Sequence, residues 1–120
     1  MKKKYIVKDS KDFEKIIKTG QCEKNKSFII HYKTNNLEYN RYGISVSKKL
    51  GNAVFRNKNK RRIRSIVDDY KKDYINNEDC IIILRKSGTE KKYNELKNDF
   101  FELMNRLRKN SRKEINNENK

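Results

Sequence analysis

Apolar residues along this chain switch between two periods, and the switches mark out six elements. In the stretch Ser10 to Gly20, Phe13, Ile16 and Ile17 stand at i, i+3 and i+4. That spacing predicts a short helix, with Ser10 placed to cap it and Gly20 to close it. The segment FIIHYK, Phe28 to Lys33, is β-branched and aromatic, which predicts a strand. Phe28, Ile30 and Tyr32 then share one face, and Ile29, His31 and Lys33 the other. Asn35-Asn36 supplies turn chemistry before a second strand, Arg41 to Ser47. There Tyr42, Ile44 and Val46 alternate with the small residues Gly43, Ser45 and Ser47.

Gly51 and Asn52 interrupt that strand, and a long helix is expected to follow as far as about Tyr74, ended by Asn76-Asn77. Its apolar stripe is Ile63, Ile66, Val67, Tyr70 and Tyr74. Cys80 to Leu84 is a continuous apolar run that suits a strand buried on both faces. Ser87-Gly88-Thr89 reads as a turn and cap. The last helix carries Tyr93, Leu96, Phe100, Leu103 and Leu107 on one seam. From residue 109 the tail has one lone Ile and is expected to be disordered. The order α-β-β-α-β-α predicts a single α+β domain over residues 1–108, a small two-layer sandwich with helices on one sheet face.

Charge changes this picture more than any other property. The chain carries +16 over 120 residues, and 40% of its residues are charged against 33% apolar. From Tyr39 to Val67 there is no Asp or Glu, while nine basic residues fall in that window: Arg41, Lys48, Lys49, Arg56, Lys58, Lys60, Arg61, Arg62 and Arg64. Such a patch calls for a polyanion, and nucleic acid is the obvious one. On a helical wheel with Ile63 at zero, Lys60, Arg64, Asn57 and Arg61 fall at about 60°, 100°, 120° and 160°. They form one strip beside the buried stripe, while Lys58 and Arg62 point to the far side. The chain uses 23 Lys and only 9 Arg, yet four Arg lie between residues 56 and 64. Arginine offers a planar fork for phosphate oxygens that lysine lacks.

Little is available for protein-borne catalysis. There is one His, and Cys22 and Cys80 are far apart with no metal-ligand spacing around either. Asp68 and Asp69 are neighbours on the predicted helix and so point about 100° apart, which suits solvent rather than a shared metal. No catalytic residue and no metal ligand is assigned to this chain. No apolar run reaches the ~18 residues of a membrane span, so a cytoplasmic protein without membrane or DNA partners is expected.

The run Ser45 to Arg64, S-V-S-K-K-L-G-N-A-V-F-R-N-K-N-K-R-R-I-R, resembles the signature of the bacterial ribonuclease P protein component. DFEKIIKTG before it is similar to that family's N-terminal helix, and FIIHY to its first long strand. The chain departs from the pattern at Lys58, where the family usually has Arg, and at His31, where an aromatic, usually Tyr, is expected. The resemblance implies a mixed sheet with a left-handed β-α-β crossover. It also implies a small basic partner of a catalytic RNA that removes the 5′ leader of precursor tRNA using Mg²⁺ held mainly by RNA. In that reading Lys48, Lys49, Arg56, Asn57, Lys60, Arg61 and Arg64 contact RNA, and Phe13 and His31 line a cleft for the leader. A general ribosomal or other RNA-binding protein is the alternative, and the scarcity of acid and base groups disfavours a stand-alone nuclease.

Overall fold

The computed structural model describes residues 2–72 and 77–118, with side chains described to residue 110. Four strands form one sheet in the order β1-β2-β4-β3: β1 Gln21–Lys24, β2 Phe28–Thr34, β3 Arg41–Ser45 and β4 Glu78–Leu84. β1 and β2 are antiparallel, β2 and β4 antiparallel, and β3 and β4 parallel. The helices are α1 Ser10–Thr19, α2 Ala53–Lys71, the single turn α3 Lys86–Thr89 and α4 Tyr93–Glu118. The β-α-β unit expected from the resemblance is therefore present, β3 passing through α2 to its parallel neighbour β4.

Alternation along the strands sorts side chains between two cores. Phe28, Ile30 and Tyr32 of β2 and Cys80, Ile82 and Leu84 of β4 face α2 and α4, where Ile63, Ile66, Val67, Tyr70, Leu96, Phe100 and Leu103 complete the main cluster. Ile81 points the other way and packs with Ile16 of α1 and Val7, with Phe13 and Ile83 half-buried against them. Helices thus lie on both faces, with α1 opposite α2 and α4. The expectation of helices on one face is corrected here, because Ile81 and Ile83 in the central strand need a cover of their own. Central β4 is buried on both sides, as its unbroken apolar run requires.

Several local details also differ from the pattern-based reading. Asp9, not Ser10, caps α1, its carboxylate accepting from Lys11 N at 2.9 Å. Gly20 has φ −82°, so no left-handed turn demands it. Close approach does: a Cβ there would lie 2.5 Å from the carbonyl oxygens of Ile16 and Tyr32. β1 is an additional strand with little apolar content, paired in register with β2 from Gln21↔Tyr32 to Lys24↔Ile29. β3 ends at Ser45, and Ser47 caps a 3-10 turn, Lys48–Leu50. Helix α2 stops at Lys71; Tyr74 and Asn76 lie outside the described residues. Asn77 leads into β4 with φ 54°, a left-handed conformation that Asn tolerates. Helix α4 runs on past Arg108 to Glu118, where the pattern predicted a tail without structure. No Gly or Pro stands between residues 108 and 118 to stop it.

The N-terminal strand edge is also covered. After a 3-10 turn, Lys3–Tyr5, Ile6 bridges to Tyr42 and Val7 N donates to Tyr42 O at 2.9 Å. This segment lies along β3 and shields its free edge.

Candidate nucleic-acid interface

The basic helix is anchored before it is charged. Asn52 caps α2, its side-chain oxygen accepting from Phe55 N at 2.9 Å. Ile63, Ile66, Val67 and Tyr70 are fully buried, which fixes the rotation of the helix about its axis. That rotation leaves Asn57, Arg61 and Arg64 exposed and Lys60 half-buried along one side, as the wheel predicts. Lys48 and Lys49 stand exposed on the preceding turn, and Arg56 is half-buried, with Nε enclosed and without a partner. Among the described residues, no ion pair involves Lys48, Lys49, Arg56, Lys58, Lys60, Arg61 or Arg64. The strip therefore keeps its charge for an outside partner.

Two members of the acid-free window do not. Arg41 forms a forked pair with Asp79, Nε and Nη2 lying 2.8 and 2.6 Å from the two carboxylate oxygens. Arg62, on the far side of the wheel from the strip, is half-buried and turned inward. Its guanidinium donates to Asn59 Oδ1 at 3.1 Å and to the carbonyl of Lys91. Asn59 is itself only 1% exposed and donates to Phe55 O at 3.0 Å. The sequence held this signal, since Asn59 falls at about −40° on the same wheel, inside the apolar stripe.

Across the sheet, the α1 face carries the second set of candidate residues. The register aligns Cys22, His31, Ile81 and Gly43 in one row over all four strands. Phe13 lies over the Gly43 end of that row: a Cβ on Gly43 would come within 2.6 Å of Phe13 Cε2 and Cζ. His31 lies at the other side, two strand spacings or roughly 10 Å away. The two expected stacking groups thus share a face. His31 is half-buried with Nδ1 enclosed and unpartnered, and burial pushes its pKa below the usual value. Between α1, β3, α2 and the N-terminal segment lies a depression of about 140 Å³. Ile6, Val7, Phe13, Tyr42, Gly43, Ile44, Lys60 and Arg64 line it. Phe13 and the basic strip therefore meet at one place. Ile6 and Val7 were not anticipated there, because nothing in a short N-terminal apolar pair announces that it folds back on β3.

Asp68 and Asp69 are engaged in ion pairs. Asp68 pairs with Lys71 at 3.2 Å, and Asp69 with Lys97 at 2.9 Å and Lys72 at 3.6 Å. The hydrogen bond and charge of Lys97 hold Asp69 below the usual carboxylate range. Among the described residues no three His, Cys, Asp or Glu side chains converge as metal ligands would. Cys80 is buried, and burial pushes its thiol pKa well up, as befits an inert core thiol. No described helix is long and apolar enough to cross a membrane.

A family model described as Ribonuclease P matches residues 1–108. The chain belongs to the ribonuclease P protein family. It is 42% identical over 113 residues to the ribonuclease P protein component of Mycoplasma mycoides subsp. mycoides SC, covering 90% of this chain and all of that one. It is 40% identical over 104 residues to that of Streptococcus equi subsp. equi, covering 87% of each. Among solved structures it resembles a Staphylococcus aureus RNase P protein mutant with defective mRNA degradation activity. That likeness has a TM-score of 0.82 and 34% identity over 88% of this chain and 90% of that one. The RNase P protein from Thermotoga maritima gives 0.78 and 29% over 83% and 94%. Ribonuclease P protein components are the protein part of a tRNA-processing ribonucleoprotein with endoribonuclease activity, and they partner its RNA subunit.

Proposed function

We propose that this chain serves as the RNA-binding subunit of a ribonuclease P holoenzyme in the cytoplasm. In it a catalytic RNA cleaves precursor tRNA and the protein holds both RNA molecules in place. Arg56, Asn57, Lys60, Arg61 and Arg64 contact the RNA subunit, Lys48 and Lys49 contact the backbone of the leader, and residues 1–108 act as one RNA-binding domain. Phe13 and His31 stack on unpaired bases of the 5′ leader along the α1 face. The observation that carries this reading is the junction: a strip of cations without internal partners and a half-buried aromatic line one depression. Mg²⁺ falls to the RNA in this proposal, since Asp68 and Asp69 sit in lysine pairs and no ligand cluster forms among the described residues. Protein alone has no candidate acid-base pair and is expected to leave RNA intact.

The double variant Phe13→Ala, His31→Ala tests the leader face. A stacked base contributes ~1–3 kcal/mol, so holoenzyme affinity for precursor tRNA should fall about fivefold or more. Affinity for mature tRNA, which lacks the leader, should hold. Equal losses for both substrates would refute the assignment of the α1 face.

A further inference from the structure

Phe55 is a large aromatic side chain in the first turn of the basic helix, half-buried yet part of neither hydrophobic cluster of the described residues. Its ring lies across Gly51 instead. A Cβ on Gly51 would come within 2.5 Å of Phe55 Cδ1 and 3.0 Å of Cγ. We propose that Phe55 is a positioning residue that locks the Lys48–Leu50 turn onto α2, holding Lys48 and Lys49 in fixed register with the cation strip. This rests on the reading that the two lysines take the leader backbone and the strip takes the RNA subunit, and it names the side chain that couples them.

The link between the two groups of cations explains why a lock is needed. Only Gly51 and Asn52 separate the 3-10 turn from the first residue of α2. Ser47 closes the turn, its hydroxyl accepting from Lys49 N at 3.2 Å and its carbonyl from Leu50 N at 3.0 Å. Asn52 opens the helix, its side chain accepting from Phe55 N at 2.9 Å and its carbonyl from Arg56 N at 3.0 Å. Between these two closed units stands Gly51, in extended backbone and with no side chain to limit rotation about its bonds. A swing there would carry Lys48 and Lys49, both exposed, away from the helix. Two contacts oppose it. Leu50 is half-buried against the main cluster. Phe55 covers Gly51 from the helix side, and its own backbone is fixed at both ends. Its N–H donates to Asn52, and its carbonyl accepts from Asn59 Nδ2 at 3.0 Å. Asn59 is buried, so the ring is mounted on the rigid part of α2. Ordering one rotamer-rich side chain on binding costs roughly two- to tenfold in affinity. Two lysines presented in advance on a locked turn avoid part of that loss.

The test begins with ¹⁵N relaxation of the full free chain. Phe55→Ala should make the amides of Lys48, Lys49 and Leu50 more mobile while those of α2 keep the parental values. In the holoenzyme, the affinity of Phe55→Ala for precursor tRNA should fall about fivefold, while its affinities for mature tRNA and for the RNA subunit hold. Phe55→Tyr, which keeps the ring, should behave like the parent. Gly51→Ala supplies a second arm. In the parent chain the added methyl group displaces the ring and should give the same selective loss. In the Phe55→Ala chain the ring is gone, the methyl group stiffens the link, and precursor tRNA affinity should recover. A merely structural role would instead make the two losses add and lower both RNA affinities together. Such additive losses, or a Phe55→Ala turn as rigid as the parent's, would overturn the proposal. Were Phe55→Ala unfolded, Gly51→Ala would decide alone, and parental precursor tRNA affinity there would overturn it. Parental precursor tRNA affinity in the double variant Lys48→Ala, Lys49→Ala would overturn the leader reading on which the proposal rests. The relaxation measurement is made without RNA, so it tells the two failures apart.

Discussion

Arg62 and Arg64 stand two residues apart on one helix, and replacing each with Ala should give opposite results. Arg64 is exposed and has no ion pair among the described residues, so its loss should leave the fold alone. Each phosphate contact removed lowers the slope of log affinity against log salt by ~0.7–0.9. A fourfold rise in salt should then weaken the Arg64→Ala complex with the RNA subunit about threefold less than it weakens the parent. Arg62 instead donates to Asn59 and to the Lys91 carbonyl, tying α2 to the segment between α3 and α4. Its removal leaves Asn59, 1% exposed, with an unsatisfied oxygen. Hydrogen bonds from a charged donor contribute ~1.5–3 kcal/mol, and discounting for a part-exposed group leaves roughly 1–2 kcal/mol. For a domain of this length that is a fall in melting temperature of about 4–8 °C. The assays are thermal melting of the free chain and fluorescence anisotropy of labelled RNA over a salt series. A smaller salt slope for Arg62→Ala with unchanged melting would refute this division of labour between the two arginines.

Two further outcomes test the α1 face. Gly43→Ala places a Cβ 2.6 Å from two ring carbons of Phe13 and 2.9 Å from Ile81 Cδ1, so overpacking should cost ~1–3 kcal/mol in denaturant unfolding. Precursor tRNA affinity should drop with it while RNA-subunit affinity holds; an unchanged unfolding midpoint would contradict the position of that ring. His31 gives a pH signature. Burial holds its folded pKa below 6.5, so the unfolded chain binds more protons in the window beneath that value. Stability is therefore full above 6.5 and declines as pH falls through 6.5 toward the lower folded pKa. His31→Asn should flatten that part of the melting-temperature profile, and parallel profiles for the two chains would contradict it.

What could be read from sequence depended on whether a residue's partner was local. Helix α2 was legible because its stripe and cap lie within one segment, and the strip of Asn57, Lys60, Arg61 and Arg64 followed from the same periodicity. β4 was legible from its continuous apolar run. β1 was not: Gln21-Cys22-Glu23-Lys24 has no apolar alternation, and it is held from outside. Tyr32 OH donates to Gln21 Oε1 at 2.8 Å, and Asn110 of α4 donates to Glu23 Oε1 at 2.8 Å. Likewise Arg41 looked like part of the RNA patch because its partner, Asp79, is 38 positions away. The placement of α1 opposite α2 needed the knowledge that Ile81 and Ile83 face away from Ile82, which a run of identical residues cannot reveal. Phe13 was singled out by resemblance, but its meeting with Lys60 and Arg64 is a product of three elements folding together.

A row of cations on α2, without ion pairs among the described residues and joined to an aromatic-lined face, is proposed to assist an RNA catalyst. The measurement that tests this assistance most directly is 5′-leader release from precursor tRNA by an in vitro transcript of the ribonuclease P RNA at low Mg²⁺. Adding this protein should raise the rate, the quadruple variant of Asn57, Lys60, Arg61 and Arg64 to Ala should not, and protein without RNA should cleave nothing. Cleavage by the protein alone, or no stimulation of the RNA by the folded parent chain, would contradict the account.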